Sequence, residues 1–505
     1  MHNFDCLSKR CAAVESPRQI LRHWREKGLR SMLICGAVVL TGGVAPHGHT
    51  ATIPPSGTTL GSVPGSTGLQ SFTGDSVQTA CIGMRKIVND GGTLAPASRD
   101  LFARCGELVG TAVSGGEAAL NLTAQQLNGA LQQVATEESI ALGSRAGEIT
   151  TARLGGAITR ISEIRRGVTG FRVSISDPTN TGGMVAGYAA PQGSTVTGGA
   201  AGDGDFVGEG KLSGFLNVRY GFGNKDGTDR EDGFDFSNWG LTGGVDYRID
   251  SKFTVGGLLT YSDLDTDFDT TQYTVSGGGV DSDGWGLSAF GTYNHEMFYV
   301  DGLIGFGRMD YDIQRSVFYV PGPKSTVGSA PRAFDAKADT DSDDFVASLG
   351  IGHDASRGAL SYGPFARLTY YKIDIDGYRE TGTGATELAL AVDDQEVKSL
   401  TTSIGGRVSY SISRSFGVVL PYARAEWIHE FDNDARTIGA TYIHDPNSTL
   451  LAARTNNPDR DYGFLGVGLS AVMPHGYQLF LDYQGLVGFR DLNEHRFVAG
   501  LRAEF

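Results

Sequence analysis

Twelve stretches between Gly210 and Phe505 alternate in side-chain character with a period of two residues, the mark of strands that present two different faces. They run Gly210–Gly223, Trp239–Asp250, Lys252–Asp263, Asp283–Asn294, Glu296–Tyr311, Asp344–Asp354, Ala359–Ile375, Val397–Ile412, Phe416–Glu430, Asp461–Met473, His475–Leu486 and His495–Phe505. In the second, Leu241, Gly243, Val245, Tyr247 and Ile249 oppose Thr242, Gly244, Asp246 and Arg248. In the fifth, Phe298, Val300, Gly302, Ile304 and Phe306 oppose Tyr299 and Asp301. The connections narrow the fold further. Tight links near Ser251, His295, Ser356, Arg414 and Pro474 alternate with long ones at Asn224–Asn238, Leu264–Ser282, Asp312–Asp343, Asp376–Glu396, Phe431–Arg460 and Val487–Glu494. A soluble sandwich has no reason to segregate its loops this way, whereas an outer-membrane barrel has short turns on one side and long loops on the other. The predicted fold class is all-β: a 12-stranded antiparallel transmembrane β-barrel, preceded by a small, mostly helical N-terminal region.

The last stretch shows the pattern well. Phe497, Ala499, Leu501, Ala503 and Phe505 point one way, and Arg496, Val498, Gly500, Arg502 and Glu504 the other. Its length suits a tilted spanning strand of about 9–11 residues. With the apolar face toward lipid, the alternation predicts lumen-facing side chains at Asp301, Glu426, Asp482, Arg502 and Glu504. An even strand number puts both barrel termini on the short-turn, periplasmic side and turns the long loops outward. Those loops carry Asp226, Asp229, Asp232, Asp265, Asp267, Asp269, Asp393 and Asp394. Without EF-hand spacing they read as solvated surface.

Ahead of the barrel the chain changes character. The net charge is −15, of which the first 30 residues contribute +4, leaving −19 for the remainder. That excludes the basic footprint of a nucleic-acid binder. Lys9, Arg10, Arg18, Arg22, Arg25, Lys27 and Arg30 precede an uncharged, mostly apolar run from Ser31 to Ala45. The run is too short for a spanning helix and suits the core of an export signal. A signal peptide is expected over 1–48, a flexible linker over 49–74, a helical two-Cys segment over 75–166, a Gly/Ser/Thr-rich linker over 167–209 and the barrel over 210–505. Cys6, Cys11 and Cys35 fall in the signal. Cys81 and Cys105 remain as an even pair, which in an exported chain predicts a disulfide. The residues VQTACIGMRKIV and ASRDLFARCGELVG predict two short helices around a turn. Thr123 and Gln126 can form a capping box opening a further helix. Leu127, Leu131 and Val134 lie at helical spacing, as do Leu154, Ile158 and Ile161. So narrow a stripe predicts packing against a partner surface. Part of 119–166 is expected in the lumen, with Arg160, Arg165 and Arg166 near the inward acids, the alternatives being a segment wholly in the periplasm or wholly at the cell surface.

The segments GGVDYRI (Gly243–Ile249), YVDGLIGFGRMDYD (Tyr299–Asp312), GPFARLTYYKIDIDGYRETG (Gly363–Gly382), LPYARAEWIHEF (Leu420–Phe431) and the closing GLRAEF occur in an order and spacing that resembles the C-terminal translocator barrel of autotransporters. The resemblance implies a monomeric barrel in Gram-negative outer-membrane lipid, inserted by the barrel-assembly machinery with periplasmic chaperones. Such a barrel assists export or anchoring of the N-terminal part of its own chain. The resemblance also implies an assembly signal on the closing strand, at Phe497, Leu501, Ala503 and the terminal Phe505. It implies no cofactor, no metal and no nucleic-acid partner. Two departures stand out. Gly170–Gly210 is not helical where the family often runs a helix through the lumen, and no solenoid repeats of a large passenger are present.

No enzyme is expected. Phe72, Gly74, Asp75 and Ser76 spell part of the GDS core of a lipase-type passenger, but no room for that fold exists between Ser76 and Gly210. HExxH, GxSxG, Walker and GxGxxG motifs in proper context are missing. Asp491 and His495 lie close in sequence without support as an acid–base pair. The reading that follows is a translocator with a small N-terminal segment. The alternatives are a pore or structural barrel plugged by its N-terminal helix, and an adhesin acting through its outer loops.

Overall fold

The computed structural model describes residues 59–113, 122–136, 138–143, 146, 147, 150, 154, 158, 161, 172–175, 212–269, 278–321, 330–432, 434–472 and 478–502. The expected signal and the residues Ala503, Glu504 and Phe505 lie outside them. Twelve long strands carry the architecture: β1 Leu212–Lys225, β2 Phe234–Arg248, β3 Phe253–Phe268, β4 Gly279–His295, β5 Phe298–Tyr319, β6 Arg332–His353, β7 Leu360–Ile375, β8 Gln395–Tyr410, β9 Gly417–Glu430, β10 Asp461–Val472, β11 Gln478–Val487 and β12 Leu492–Arg502. Each pairs antiparallel with the next. The ring closes where Phe222–Lys225 of β1 meets Leu492–His495 of β12. A closed barrel leaves no unpaired edge in hydrocarbon.

Lower on β1, Phe215–Val218 takes a parallel partner, Arg172–Ile175. That strand lies inside the expected 167–209 linker. Val173 and Ile175 are β-branched residues at alternate positions, enough to suit a short strand.

At the mouth, the strands outrun the sequence-based expectation. β5 continues to Tyr319 and β6 begins at Arg332, so the expected Asp312–Asp343 loop becomes a hairpin extension. The alternation does not stop at Tyr311; it changes sign. Within the lipid band, Leu259, Leu287, Ile304 and Phe306 are exposed while Thr260, Ser288, Asp301 and Ser348 are buried. Further out, Asp310, Asp312, Asp335 and Asp339 are exposed. There Tyr311, Ile313, Val317, Phe334, Ala336 and Ala338 are buried. A row of outward aromatics marks the change: Trp239 to Tyr261 at 5.3 Å, Tyr261 to Trp285 at 4.9 Å and Phe306 to Phe345 at 5.2 Å between ring centroids.

The apolar mouth is filled by helices. α1 (Gly68–Asn89) starts six residues before the expected end of the 49–74 linker, at a capping box in which Thr67 and Gln70 exchange hydrogen bonds. α2 (Pro96–Val113) folds back on it. α3 (Ala124–Gln133) opens with the Thr123–Gln126 capping box. Helix resumes at 138–143 and at positions 146, 147, 150, 154, 158 and 161, all of them buried. Leu69, Met84, Leu108, Leu127, Leu131 and Leu142 share one apolar core with Tyr311, Phe334, Ile373 and Tyr442. A small sheet of Tyr378–Arg379, Leu390–Val392, Thr437–Tyr442 and Leu451–Arg454 completes the mouth.

Cys81 and Cys105 form a disulfide between α1 and α2, with Cα atoms 5.6 Å apart. Both cysteines are buried. Alkylation of the exported protein should leave both thiols unmodified until it is reduced. Cys81→Ala should lower the stability of the helical segment by roughly 3 kcal/mol, read as faster proteolysis of 59–143.

Candidate functional site

The long-loop end of the barrel holds several charged side chains in nearly complete burial, all at contacts between the helices and the strand extensions. Arg315 reaches inward from β5, in the row of Ile313 and Val317. Its Nε and Nη2 donate to the two carboxylate oxygens of Glu380 at 2.7 and 2.6 Å. Its Nη1 donates to the carbonyl of Gln133, the last residue of α3, at 3.2 Å. A cation at a helix C-terminus meets the negative end of the helix dipole. Glu380 Oε2 also accepts from the backbone N–H of Leu390 at 2.8 Å. The pair thus ties a strand extension, a helix end and the small sheet together, and the bidentate geometry fixes its register.

Glu107 of α2 forms the second knot and is 0% exposed. Arg332 at the start of β6 donates to its Oε1 from Nε at 3.0 Å and from Nη2 at 2.7 Å. The Tyr319 hydroxyl, at the end of β5, donates to its Oε2 at 2.7 Å. Arg104, one helical turn away, lies 3.1 Å from the same carboxylate. At the opposite rim, Asp229 accepts from the N–H of Gly68 through Oδ1 at 2.9 Å, and from that of Leu69 through its carbonyl at 3.1 Å. An acidic side chain from the barrel's first long loop therefore serves the free N–H groups that open α1. Asp232, in the same loop, accepts from Gln132 Nε2 at 2.8 Å. Burial pushes the Asp232 carboxyl up to about 6, against that hydrogen bond.

Glu138 stands just beyond α3, next to these groups, with its carboxylate against the backbone of Gly278. Burial pushes it up to about 7, opposed by Arg315 and assisted by Glu380. Ser139 Oγ and the Tyr378 hydroxyl, 2.7 Å apart, close the cluster.

Below the mouth the helical positions continue into the lumen. A Cβ at Gly143 would stand 2.3 Å from Arg436 Nη1, and one at Gly147 would stand 2.9 Å from the Tyr371 hydroxyl. The two glycines thus let the chain slide past the wall. Leu154, Ile158 and Ile161 then pack on Leu258, Phe290, Leu303 and Val346. The narrow stripe has its partner, an apolar patch on the inner faces of β3 to β6.

Of the residues expected in the lumen, Asp301 is buried and accepts from Arg367 Nη2 at 2.6 Å, while Arg367 Nη1 donates to Ser348 Oγ at 2.9 Å. Glu426 on β9 is buried as well. Asp482 pairs with Val498 and Arg502 with Gln478 along β11 and β12. The side chains of Asp482, Arg502, Phe497 and Leu501 lie outside the described residues, as do Ala503, Glu504, Phe505, Arg160, Arg165 and Arg166. The Arg315–Glu380 and Glu107–Arg332 knots escaped the sequence reading. Their signal was the alternation Tyr311, Ile313, Arg315, Val317, Tyr319, which runs on through a stretch whose acids made it look like loop.

The GDS fragment does not form an exposed elbow. Gly74, Asp75 and Ser76 lie within α1. A Cβ at Gly74 would be 2.6 Å from the Leu60 carbonyl carbon, so this glycine serves the packing of the 3₁₀ turn Leu60–Ser62 on the helix.

The family model of the autotransporter beta-domain matches residues 214–484. Esterase EstA of Pseudomonas aeruginosa is 26% identical over 227 residues, covering 44% of this chain and 31% of that protein. An uncharacterized protein encoded in the trpE-trpG intergenic region of Pseudomonas putida is 24% identical over 208 residues, covering 40% and 32%. The chain thus spans about a third of the length of these relatives. Among solved structures, the translocator domain of autotransporter NalP from Neisseria meningitidis aligns at 15% identity and a TM-score of 0.43, covering 60% of this chain and 90% of that one. The transport unit of AIDA-I from Escherichia coli aligns at 13% identity and a TM-score of 0.36, covering 59% and 91%.

Removing one partner of a buried ion pair strands the other, at roughly 3–5 kcal/mol. Arg315→Met should accordingly undock the helices, seen as rapid cleavage of 59–143 by added protease while the barrel stays resistant. Glu138 gives a pH dependence. Its carboxyl binds protons more tightly folded, at about 7, than at the ordinary 4.5. Its contribution to docking is therefore full below about pH 4.5 and is lost as pH rises through about 7, on the order of 3 kcal/mol in all. Protection from protease should fall from pH 5 to pH 8 in the native chain, and should fall less in Glu138→Gln.

Proposed function

Because the chain belongs to the autotransporter beta-domain family, we propose that its barrel exports its own N-terminal segment and then keeps that segment docked in the outer mouth as a lid. The barrel is an integral component of the Gram-negative outer membrane, and its domain is not catalytic. The observation that carries the reading is the shared core. Leu127, Leu131 and Leu142 are fully buried, in one cluster with Tyr311 and Phe334 of the strand extensions. A segment meant for release would close a core of its own. Undocking this one would expose Leu127, Leu131 and Leu142, and its charged groups Glu107 and Glu138 are buried against strand and loop residues.

With short turns toward the periplasm, the lid lies outside the cell and the lumen below it is filled by helix. We assign the lid no catalytic role, since Ser76 sits inside α1 without a strand-to-helix elbow. Among the described residues of the lid, nothing is assigned the esterase activity named for EstA. Insertion is assigned to the barrel-assembly machinery with periplasmic chaperones, through a signal at Phe497, Leu501, Ala503 and Phe505, and the working form is a monomer. Asp301, Glu426, Asp482, Arg502 and Glu504 are assigned to the lumen wall.

Two measurements test this. Asp90 is exposed on the lid, and Asp90→Cys should react with a membrane-impermeant maleimide on intact cells, with the label remaining on the cell-associated, full-length barrel chain. Labelling only after permeabilisation, or label recovered in the medium, would sink the proposal. Phe505→Asp should reduce the amount of protein in the outer membrane more than the same change at an outer-loop position such as Phe431. Equal amounts would remove the terminal residue from the signal.

A further inference from the structure

The wall of β3 to β7 that faces lipid is not smooth. Toward the short-turn end it carries an apolar concavity of about 600 Å³. Of its outward-facing lining, Gly291 and Gly302 are the smallest residues, with Val255, Ala289, Ile304 and Leu349 beside them. The register explains the shape. Val255, Gly291, Gly302 and Leu349 stand in one cross-strand row, and Ala289 faces Ile304 in the next. Ile304 and Leu349 are 53% and 56% exposed, so this face is the outer one. The row beyond, toward the mouth, is large again, with Leu259, Leu287 and Phe306 in register.

The two glycines are not demanded by the barrel. At Gly256 an added Cβ would stand 2.3 Å from Phe290 Cζ, and at Gly305 it would stand 2.3 Å from Ser288 Oγ, so those inward glycines answer to packing. At Gly291 the nearest atom to an added Cβ is 3.8 Å away, and at Gly302 it is 3.9 Å away. Neither residue has a positive φ. Glycine weakens a strand interior, and one of its uses there is to let another molecule come close. Here its effect is to lower the outer surface between taller neighbours.

What covers that surface is set by where it lies. The concavity is continuous with the lipid-facing band, below the outer aromatic row of Trp239, Tyr261 and Trp285 and beside Tyr293 at the short turns. A dry gap against such a wall would forfeit dispersion contacts on one side, and a flexible hydrocarbon chain fills it without desolvating anything. We propose that this groove seats one acyl chain of a phospholipid from the periplasmic leaflet and holds it longer than the surrounding lipid. The proposal rests on the outer-membrane placement of the barrel and is independent of the lid.

The test uses the full-length protein, extracted from membranes in mild detergent and measured by native mass spectrometry. The expected result is a species that retains one phospholipid, lost in Gly291→Leu/Gly302→Leu and kept in Gly406→Leu. Gly406 is an outward glycine of β8 whose added Cβ would have its nearest neighbour at 4.0 Å. Heat-modifiability on the same samples reports whether each barrel is assembled. Should the double leucine variant fail to assemble, Gly291→Ala/Gly302→Ala carries the test, with a partial loss of the adduct expected. Equal retention in the filled and control proteins overturns the proposal. So does a retained lipopolysaccharide in place of a phospholipid, or a dimer that filling converts to monomer.

Discussion

The structure depends on one change of sign. β5 and β6 are amphipathic throughout, but the face that is apolar in the lipid band becomes acidic above it, and the face that is polar in the lumen becomes apolar at the mouth. Ile304 and Phe306 point out; Tyr311 and Ile313 point in. Lipid satisfies the first face. Nothing in water satisfies the second, which at about 25 cal/mol per Å² of exposed apolar surface is too costly to leave open. A filled mouth is therefore a condition of having strands this long. The helices before the barrel meet it from their side, since their own apolar stripes are too narrow to form a core among themselves.

Hydrophobic matching alone would let the helices settle in several orientations. The buried charges select one. Arg315 can meet both oxygens of Glu380 and the carbonyl of Gln133 only when α3 ends at that point. Glu107 meets Arg332 and Tyr319 only when α2 lies across the two strand ends. Buried ion pairs gain little net stability over apolar substitutes, but a misplaced one is heavily penalised. Their contribution here is to make wrong dockings expensive. The raised Glu138 and Asp232 carboxyls show the same economy from the other side: burial suppresses charge where no cation stands in full contact.

The barrel was legible because membrane strands obey a short-range rule. Period two, strand length and the segregation of loops can be read off neighbouring residues, and each of the twelve expected stretches overlaps one of the twelve long strands. The Thr123 capping box and the Cys81–Cys105 pair were legible for the same reason. What could not be read was the continuation of β5 and β6 beyond the membrane. Asp312, Asp335, Asp339 and Asp341 look like loop acids until the inward residues between them are given a partner. That partner is α3, whose bond from Gln133 to Arg315 spans 182 residues. The start of α1 was hidden by composition, because Gly68, Gly74 and the Ser/Thr around them suit a linker as well as a capped helix.

The clamp between Glu107 and Arg332 joins positions 225 residues apart. The first part of the chain thus completes its core on surfaces supplied by the last part. Such non-local contacts form late, because the loop between them must close first. On the export route proposed above, the lid segment has no finished core to fold around until it meets the strand ends at the far side of the membrane. Folding there is downhill and cannot be reversed without exposing both halves of the interface. On that proposed route the mouth would act as a ratchet: each helical turn that docks outside would remove a length of chain from the pool that could slip back through the lumen.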